Sequence, residues 1–184
     1  MRPCGSFGTG TLGGEESGVA AINDDGQIVG SSDTEDKDKY DDPVVRAFLW
    51  EDGTMRDLGT LGGAGSAAYA INNRGQVVGQ ARTKSAADHA FLWEDGKMTD
   101  LGTLGRWSSA AAINERGQVV GQSMVRRNVW HAFVWVGGTM TDLGTLPGGK
   151  ESDVAGINNH GYIVGWATTK SGQRHAVLWT LRSG

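Results

Sequence analysis

The segment from Ala47 to Gly63, AFLWEDGTMRDLGTLGG, returns as AFLWEDGKMTDLGTLGR from Ala90 and as AFVWVGGTMTDLGTLPG from Ala132. Trp50, Trp93, Trp135 and Trp179 stand 43, 42 and 44 residues apart. Other landmarks keep the same beat: Ser17, Ser66, Ser108 and Ser152; Asn23, Asn72, Asn114 and Asn158; Gly30, Gly79, Gly121 and Gly165. Four copies of one unit constrain the fold more than any composition does. A unit of this length cannot bury its apolar face alone, so successive copies must stack on one another.

Within a copy the pattern is that of strands. SAAYAIN, QVVGQA, HAFLW and KMTDLG are short apolar or alternating runs, each ended by Gly, Asn or Asp, and none has a helical period. Asn-x-x-Gly and Glu-Asp-Gly each mark a tight hairpin. Four antiparallel strands in about 43 residues match one propeller blade. The expected fold is therefore all-β, a β-propeller of four four-stranded antiparallel blades, with a solenoid as the competing arrangement. Small residues in the first strand, Ala20, Ala21, Ala70, Ala111, Ala112, Ala155 and Gly156, fit strands crowded around an axis.

Residues 1–184 form one repeat domain, with copies at about 10–57, 58–100, 101–142 and 143–184. The last copy stops after Trp179 without a fourth strand, and residues 1–9 align with the missing piece. Either they complete the last blade and close the ring within one chain, or the chain is half of a larger ring made by a homodimer.

The lines HAFLWEDGKMTDLGTLGR and AINERGQVVGQS resemble the bacterial HAF repeat family over nearly the whole chain. The resemblance implies a β-propeller-like fold and an extracellular location in many members, and it implies no reaction. Arg46 departs from the motif histidine in the first copy, and the N-terminus MRPCGSFGTG has no apolar run to serve as a signal peptide.

Composition narrows the partners. Thirty glycines suit a protein of many turns, and one cysteine, Cys4, excludes a disulfide framework. Lysine and arginine total 17 against 21 acids, and the stretch DTEDKDKYDD (Asp33 to Asp42) alone carries six acids and two lysines. The remainder is balanced, which argues against a nucleic-acid binder with a basic face. No apolar run is long enough for a membrane helix, and no cofactor or metal motif is present. GTGTLG (Gly8 to Gly13) matches a dinucleotide pattern only in letters, since no helix follows it.

In a four-stranded meander the two constant turns share one side. The connection between strands two and three and the connection to the next copy share the other. The former differ in every copy, and variable loops on a rigid scaffold are where function usually sits. Three tryptophans break the repeat: Trp107, Trp130 and Trp166. With Tyr40, Arg126 and Arg127 they make the candidate ligand-binding set for a small molecule, glycan or protein. Arg106 and other basic residues lie on the same side.

His89, His131 and His175 recur at one position and are expected to bond the backbone rather than ring a metal. His131 is the weak candidate for a general acid or base, should the protein instead be a cofactor-independent enzyme with an aromatic-walled pocket.

Overall fold

The computed structural model describes residues 8–181, all strands, turns and connections. The first copy forms a sheet from β1 (Gly13–Ile22), β2 (Ile28–Lys37), β3 (Pro43–Glu51) and β4 (Thr54–Asp57). The second forms β5 (Gly62–Ile71), β6 (Val77–Thr83), β7 (Asp88–Glu94) and β8 (Lys97–Asp100). The third forms β9 (Ser108–Ile113), β10 (Val119–Arg126), β11 (Val129–Val136) and β12 (Thr139–Asp142). Each is a simple antiparallel meander in chain order. The fourth departs from expectation: among the described residues it holds only β13 (Ser152–Ile157), β14 (Tyr162–Thr168) and β15 (Arg174–Thr180). Completion by residues 1–9 falls almost wholly outside the described residues; Gly8 and Thr9 are not in a strand. Among the described residues no helix is long and apolar enough to cross a membrane.

The repeated letters are turn and bulge chemistry. Asp52 and Gly53 both have positive φ, 49° and 82°, and Asp95 and Gly96 repeat this at 51° and 82°. That pair of angles defines the two-residue hairpin turn whose twist matches the strands it joins. In Asn-x-x-Gly the Asn72 side-chain oxygen accepts the N–H groups of Arg74 and Gln76, at 3.1 and 3.0 Å, which holds the turn. In Asp-Leu-Gly-Thr the aspartate accepts the glycine N–H two residues on, at 2.7 Å in all three complete copies.

The first strand of every sheet carries a bulge. Ala68 pairs with Gly79 and Ala70 with Val78, leaving Tyr69 without a partner, and Ala20, Ala111 and Ala155 stand at the same place. The bulge brings the inner backbone against the glycine opposite. A Cβ built on Gly79 would land on the Ala67 carbonyl oxygen, and Gly30, Gly121 and Gly165 meet the equivalent carbonyl. This corrects the reason given for the small residues. The bulged alanines are exposed and a tyrosine replaces one of them, so crowding at an axis does not select them. Ala21, Ala70 and Ala112, by contrast, pack at the interfaces between sheets.

Those interfaces are the core. Val29, Ala47, Leu49 and Leu58 of the first sheet pack on Ala68, Val77, Ala81, Phe91 and Trp93 of the second. Val78, Ala90, Leu92 and Leu101 meet Ala110, Val119 and Phe133 of the third, and Val120, Ala132 and Val134 meet Val154 and Ile163 of the fourth. Phe91 and Phe133 are wholly buried, each contributing about 2–3 kcal/mol.

Polar stitches run alongside. Ala47, Ala90 and Ala132 donate their N–H to Ser66, Ser108 and Ser152 of the next sheet, each at 2.9 Å. Asn23, Asn72 and Asn114 donate through Nδ2 to the carbonyls of Asn72, Asn114 and Asn158, at 3.1, 3.0 and 2.9 Å. Every sheet is thus bound to its successor by the same bonds with the same polarity.

The array does not close on itself. Val19 is 68% exposed although Ala68, Ala110 and Val154 at its repeat position are buried. Leu178 is 61% exposed and Val164 48%, where Leu49, Leu92, Val134 and Val29, Val78, Val120 are buried. Closure within one chain would have covered both ends. The described chain is an open arc of four stacked sheets, because its first and last faces do not meet.

Candidate functional site

The aromatic and basic residues that break the repeat divide between two places. Asp100 and Ser108 are one residue closer in the chain than Asp57 and Ser66, and the connection between them, which leads into the third sheet, carries Arg106 and Trp107. Its backbone is tied to β10: Met124 N–H donates to the Trp107 carbonyl at 2.8 Å and Arg106 N–H to the Met124 carbonyl at 3.2 Å. The buried Ser123 hydroxyl donates to the same Trp107 carbonyl at 2.9 Å and Thr103 does so at 3.1 Å. The Trp107 backbone is therefore fixed from behind by three bonds to its carbonyl oxygen.

Beyond Met124 the chain turns through Arg127 and Asn128 (φ 56°) into β11, leaving Arg126 and Arg127 exposed. Between this hairpin and the Trp107 connection opens a cleft of about 630 Å³, lined by Gly105, Arg106, Trp107, Met124, Val125, Arg126, Arg127 and Asn128. The Arg106 guanidinium lies over the Trp107 ring, 4.8 Å from its centroid. No carboxylate lines the cleft, so three guanidinium groups set its charge and Trp107, Met124 and Val125 supply its apolar wall. Such a site suits an anion with a planar or apolar part.

Trp107, Arg126 and Arg127 line one cleft, and the other candidates do not join them. Trp130 pairs with Met124 across the β10–β11 ladder and is half-buried, outside the cleft lining. Trp166 lies on β14 beneath Arg174, whose guanidinium is 3.9 Å from the ring centroid. By strand alternation it shares the uncovered face of the last sheet with Val164, Ala176 and Leu178. Tyr40 is exposed at the tip of the acidic insertion, with Lys39 over its ring. That insertion lengthens the β2–β3 hairpin, and Asp38 closes its tip by accepting the N–H groups of Tyr40 and Asp42.

The histidines do something the sequence did not show. His89 Nδ1 bonds the Asp100 carboxylate at 2.9 Å, and His131 Nδ1 bonds Asp142 at 2.8 Å. They bind the third strand to the fourth through the aspartate of Asp-Leu-Gly-Thr, not to backbone alone. His131 Nε2 also lies 3.1 Å from the Lys150 carbonyl, so both ring nitrogens face acceptors and neither is presented to a substrate. Arg46 takes the histidine's place in the first sheet, 3.6 Å from Asp57. His175 has no such aspartate among the described residues. No group of three or more His, Cys, Asp or Glu converges there either.

A second cleft, about 350 Å³, lies between the first two sheets and is lined by Asp38, Val44, Ser66, Arg82 and Asp88 among others. Arg82 and Asp88, register partners on β6 and β7, pair at 3.3 Å on its second-sheet wall. Burial pushes the nearby Tyr69 phenol above its usual range, and the Asp88 carboxylate adds to this. With Arg82, its only basic lining residue, engaged by Asp88, this cleft has less to offer an anion.

No protein-family model matches the chain, and no curated protein sequence does. Among solved structures, the chain is similar to the β-propeller domain of the Trilobed protease from Pyrococcus furiosus, described as having an open velcro topology. The likeness has a TM-score of 0.62 at 14% identity, covering 89% of this chain and 49% of that one. The fold is propeller-like. This chain spans about half the length of that domain.

Gly105, Arg106, Met124, Val125 and Asn128 are the lining residues that sequence reasoning passed over as site members. The signal for Arg106 was present, since it adjoins a tryptophan that breaks the repeat. Met124 and Asn128 had none, because only the hairpin geometry turns them toward the cleft.

Proposed function

We propose that the chain is a binding module whose third sheet presents the Trp107 cleft to an anionic small molecule or acidic glycan. The observation that carries this reading is one cleft lined by Trp107 together with Arg106, Arg126 and Arg127 and, among the described residues, by no carboxylate. Guanidinium groups pair with carboxylate or sulfate oxygens, while the indole face takes a sugar or aromatic ring. The repeats themselves fit the HAF pattern, on which the module would work outside the cell. A cofactor-independent enzyme would place proton transfer on His131, whose ring nitrogens are both engaged, so the binding reading is the better supported.

The test is a fluorescence titration with paired neutral and acidic sugars and aromatic carboxylates. Saturable quenching by acidic members is expected, weakening by roughly tenfold or more in Trp107→Ala and falling with salt. Quenching that survives Trp107→Ala and vanishes in Trp130→Ala would place the ligand elsewhere.

A further inference from the structure

We propose that the Trp107 cleft is one of two equivalent subsites, and that its ligand is a linear anionic polysaccharide lying across the third and fourth sheets. This rests on the anion-binding reading of that cleft and names the class of ligand it takes. The fourth sheet has a cleft of about 350 Å³ lined by residues 150–151 and 168–172. Each of these stands 44 residues after a lining residue of the Trp107 cleft. Both clefts form where the connection into a sheet meets the hairpin between its second and third strands. They are held alike: Thr168 N–H donates to the Glu151 carbonyl at 2.8 Å, as Met124 N–H does to that of Trp107. They also adjoin, since His131 Nε2 on β11 lies 3.1 Å from the carbonyl of Lys150, a wall of the fourth-sheet cleft.

The charges at two repeat positions point to the ligand. In the connection, the four sheets carry Glu15, Ala64, Arg106 and Lys150; on the hairpin they carry Glu35, Lys84, Arg126 and Lys170. Glu15 and Glu35 together give −2, Lys84 alone gives +1, and Arg106 with Arg126, like Lys150 with Lys170, gives +2. All seven charged residues are exposed, so packing does not select them. The stems of Glu35, Lys84 and Lys170 lie over Gly13, Gly62 and Gly148, where an added Cβ would fall 2.7 to 2.9 Å from them. The hairpin position is thus seated on its own connection, whichever sign it bears.

Positive charge repeated at fixed positions in neighbouring sheets suits a ligand whose own negative charge repeats. A small anion fills one cleft, whereas a chain engages both at once and gains from the linkage. The acids of the first sheet repel such a chain and confine it to the basic side. The fourth-sheet cleft has Glu151 where Trp107 stands, and the Thr169 and Ser171 hydroxyls, 2.9 Å apart, where Val125 and Arg127 stand. One indole followed by hydroxyls fits successive sugars. A nucleic acid strand calls for an aromatic face at each successive base and a broadly basic surface, and this chain carries a net −4.

Calorimetric titration of the 184-residue chain with galacturonic acid, hexagalacturonate, a heparin hexasaccharide, neutral maltohexaose and hexathymidylate tests this. One of the two acidic hexamers is expected to bind roughly 100-fold tighter than galacturonic acid, one per chain. Which of them gains more tells a carboxylate ligand from a sulfate one. Lys150→Ala combined with Lys170→Ala changes two exposed side chains, so the circular dichroism spectrum is kept. The pair lowers the affinity of the tighter hexamer about tenfold. An unchanged affinity in that variant overturns the fourth-sheet subsite. Maltohexaose or hexathymidylate binding as tightly as the acidic hexamers overturns the ligand class. If neither acidic hexamer gains over galacturonic acid while an acidic sugar or aromatic carboxylate still quenches Trp107, the polysaccharide is overturned and the single-cleft reading stands. Absence of quenching by every acid overturns both.

Discussion

Asn72 donates through Nδ2 to the carbonyl of Asn114 in the next sheet at 3.0 Å, while its own side-chain oxygen holds the turn in which it sits. The same amide group bonds Gln76 Oε1 at 2.7 Å, and the whole residue is buried. One side chain thus shapes a hairpin and joins two sheets. Leu or Val could not replace it, because the turn's N–H groups would be left unpaired.

Asn72→Ala should cost about 2–4 kcal/mol, since several buried polar groups lose partners at once. In a chain of this size that lowers the melting temperature by several degrees. Asn158→Ala, at an exposed terminal turn, should cost much less in the isolated chain. Thermal unfolding followed by circular dichroism distinguishes them, and equal losses would deny the inter-sheet role.

Gly79→Ala places a methyl group against the Ala67 backbone oxygen, where nothing flexible can move aside. We expect a loss of about 3 kcal/mol or more, or no folded protein. Gly156→Ala meets open space at a backbone angle any residue adopts, and should change stability by less than about 0.5 kcal/mol. Urea midpoints for the pair check the bulge as the reason for the repeated glycine.

Arg46→His should stabilise the protein. Arg46 reaches Asp57 only at 3.6 Å, and its Nε is buried without a partner. A histidine there can make the bond that His89 and His131 make to Asp100 and Asp142. The gain expected is about 1 kcal/mol, from one new bond and one orphaned donor removed. A lower midpoint than that of the parent chain would show that the arginine's packing matters more.

Asp153 gives a pH-dependent case. Burial raises its carboxyl above the ordinary value, opposed by the Val154 N–H bond and by Arg174. A raised folded value favours the protonated fold, so this group's contribution is greatest below the unfolded value of 3.8 and is lost as pH rises through the folded one. Asp153→Asn keeps an acceptor for Val154 and removes the buried charge. Its melting temperature should exceed the parent's at pH 7, and the advantage should shrink toward pH 4. An advantage independent of pH would exclude ionisation as the cause.

The site divided along similar lines. Trp107, Arg126 and Arg127 stood out as departures from a repeat, because packing by symmetry cannot explain a residue that only one copy has. Trp166 broke the repeat equally well and lies elsewhere, since strand alternation turned it to a terminal face. His131 was the sequence's weak acid–base candidate; the β11–β12 hairpin brings Asp142, eleven residues on, to 2.8 Å from its ring and makes the two a clamp.

The sequence by itself determined the unit: its period, its strands, its two constant turns and the side on which copies differ. All of these rest on contacts between residues near in the chain, where turn angles and alternation are legible in the letters. Only the tertiary structure decided that a bulge demands the repeated glycine, that Arg106 and Met124 share a cleft with Trp107, and that the four sheets do not close on themselves. Those depend on how one sheet is set against the next. Repetition states that the sheets stack, but the angle between them, which decides closure, is a property of packed surfaces and appears in no single copy.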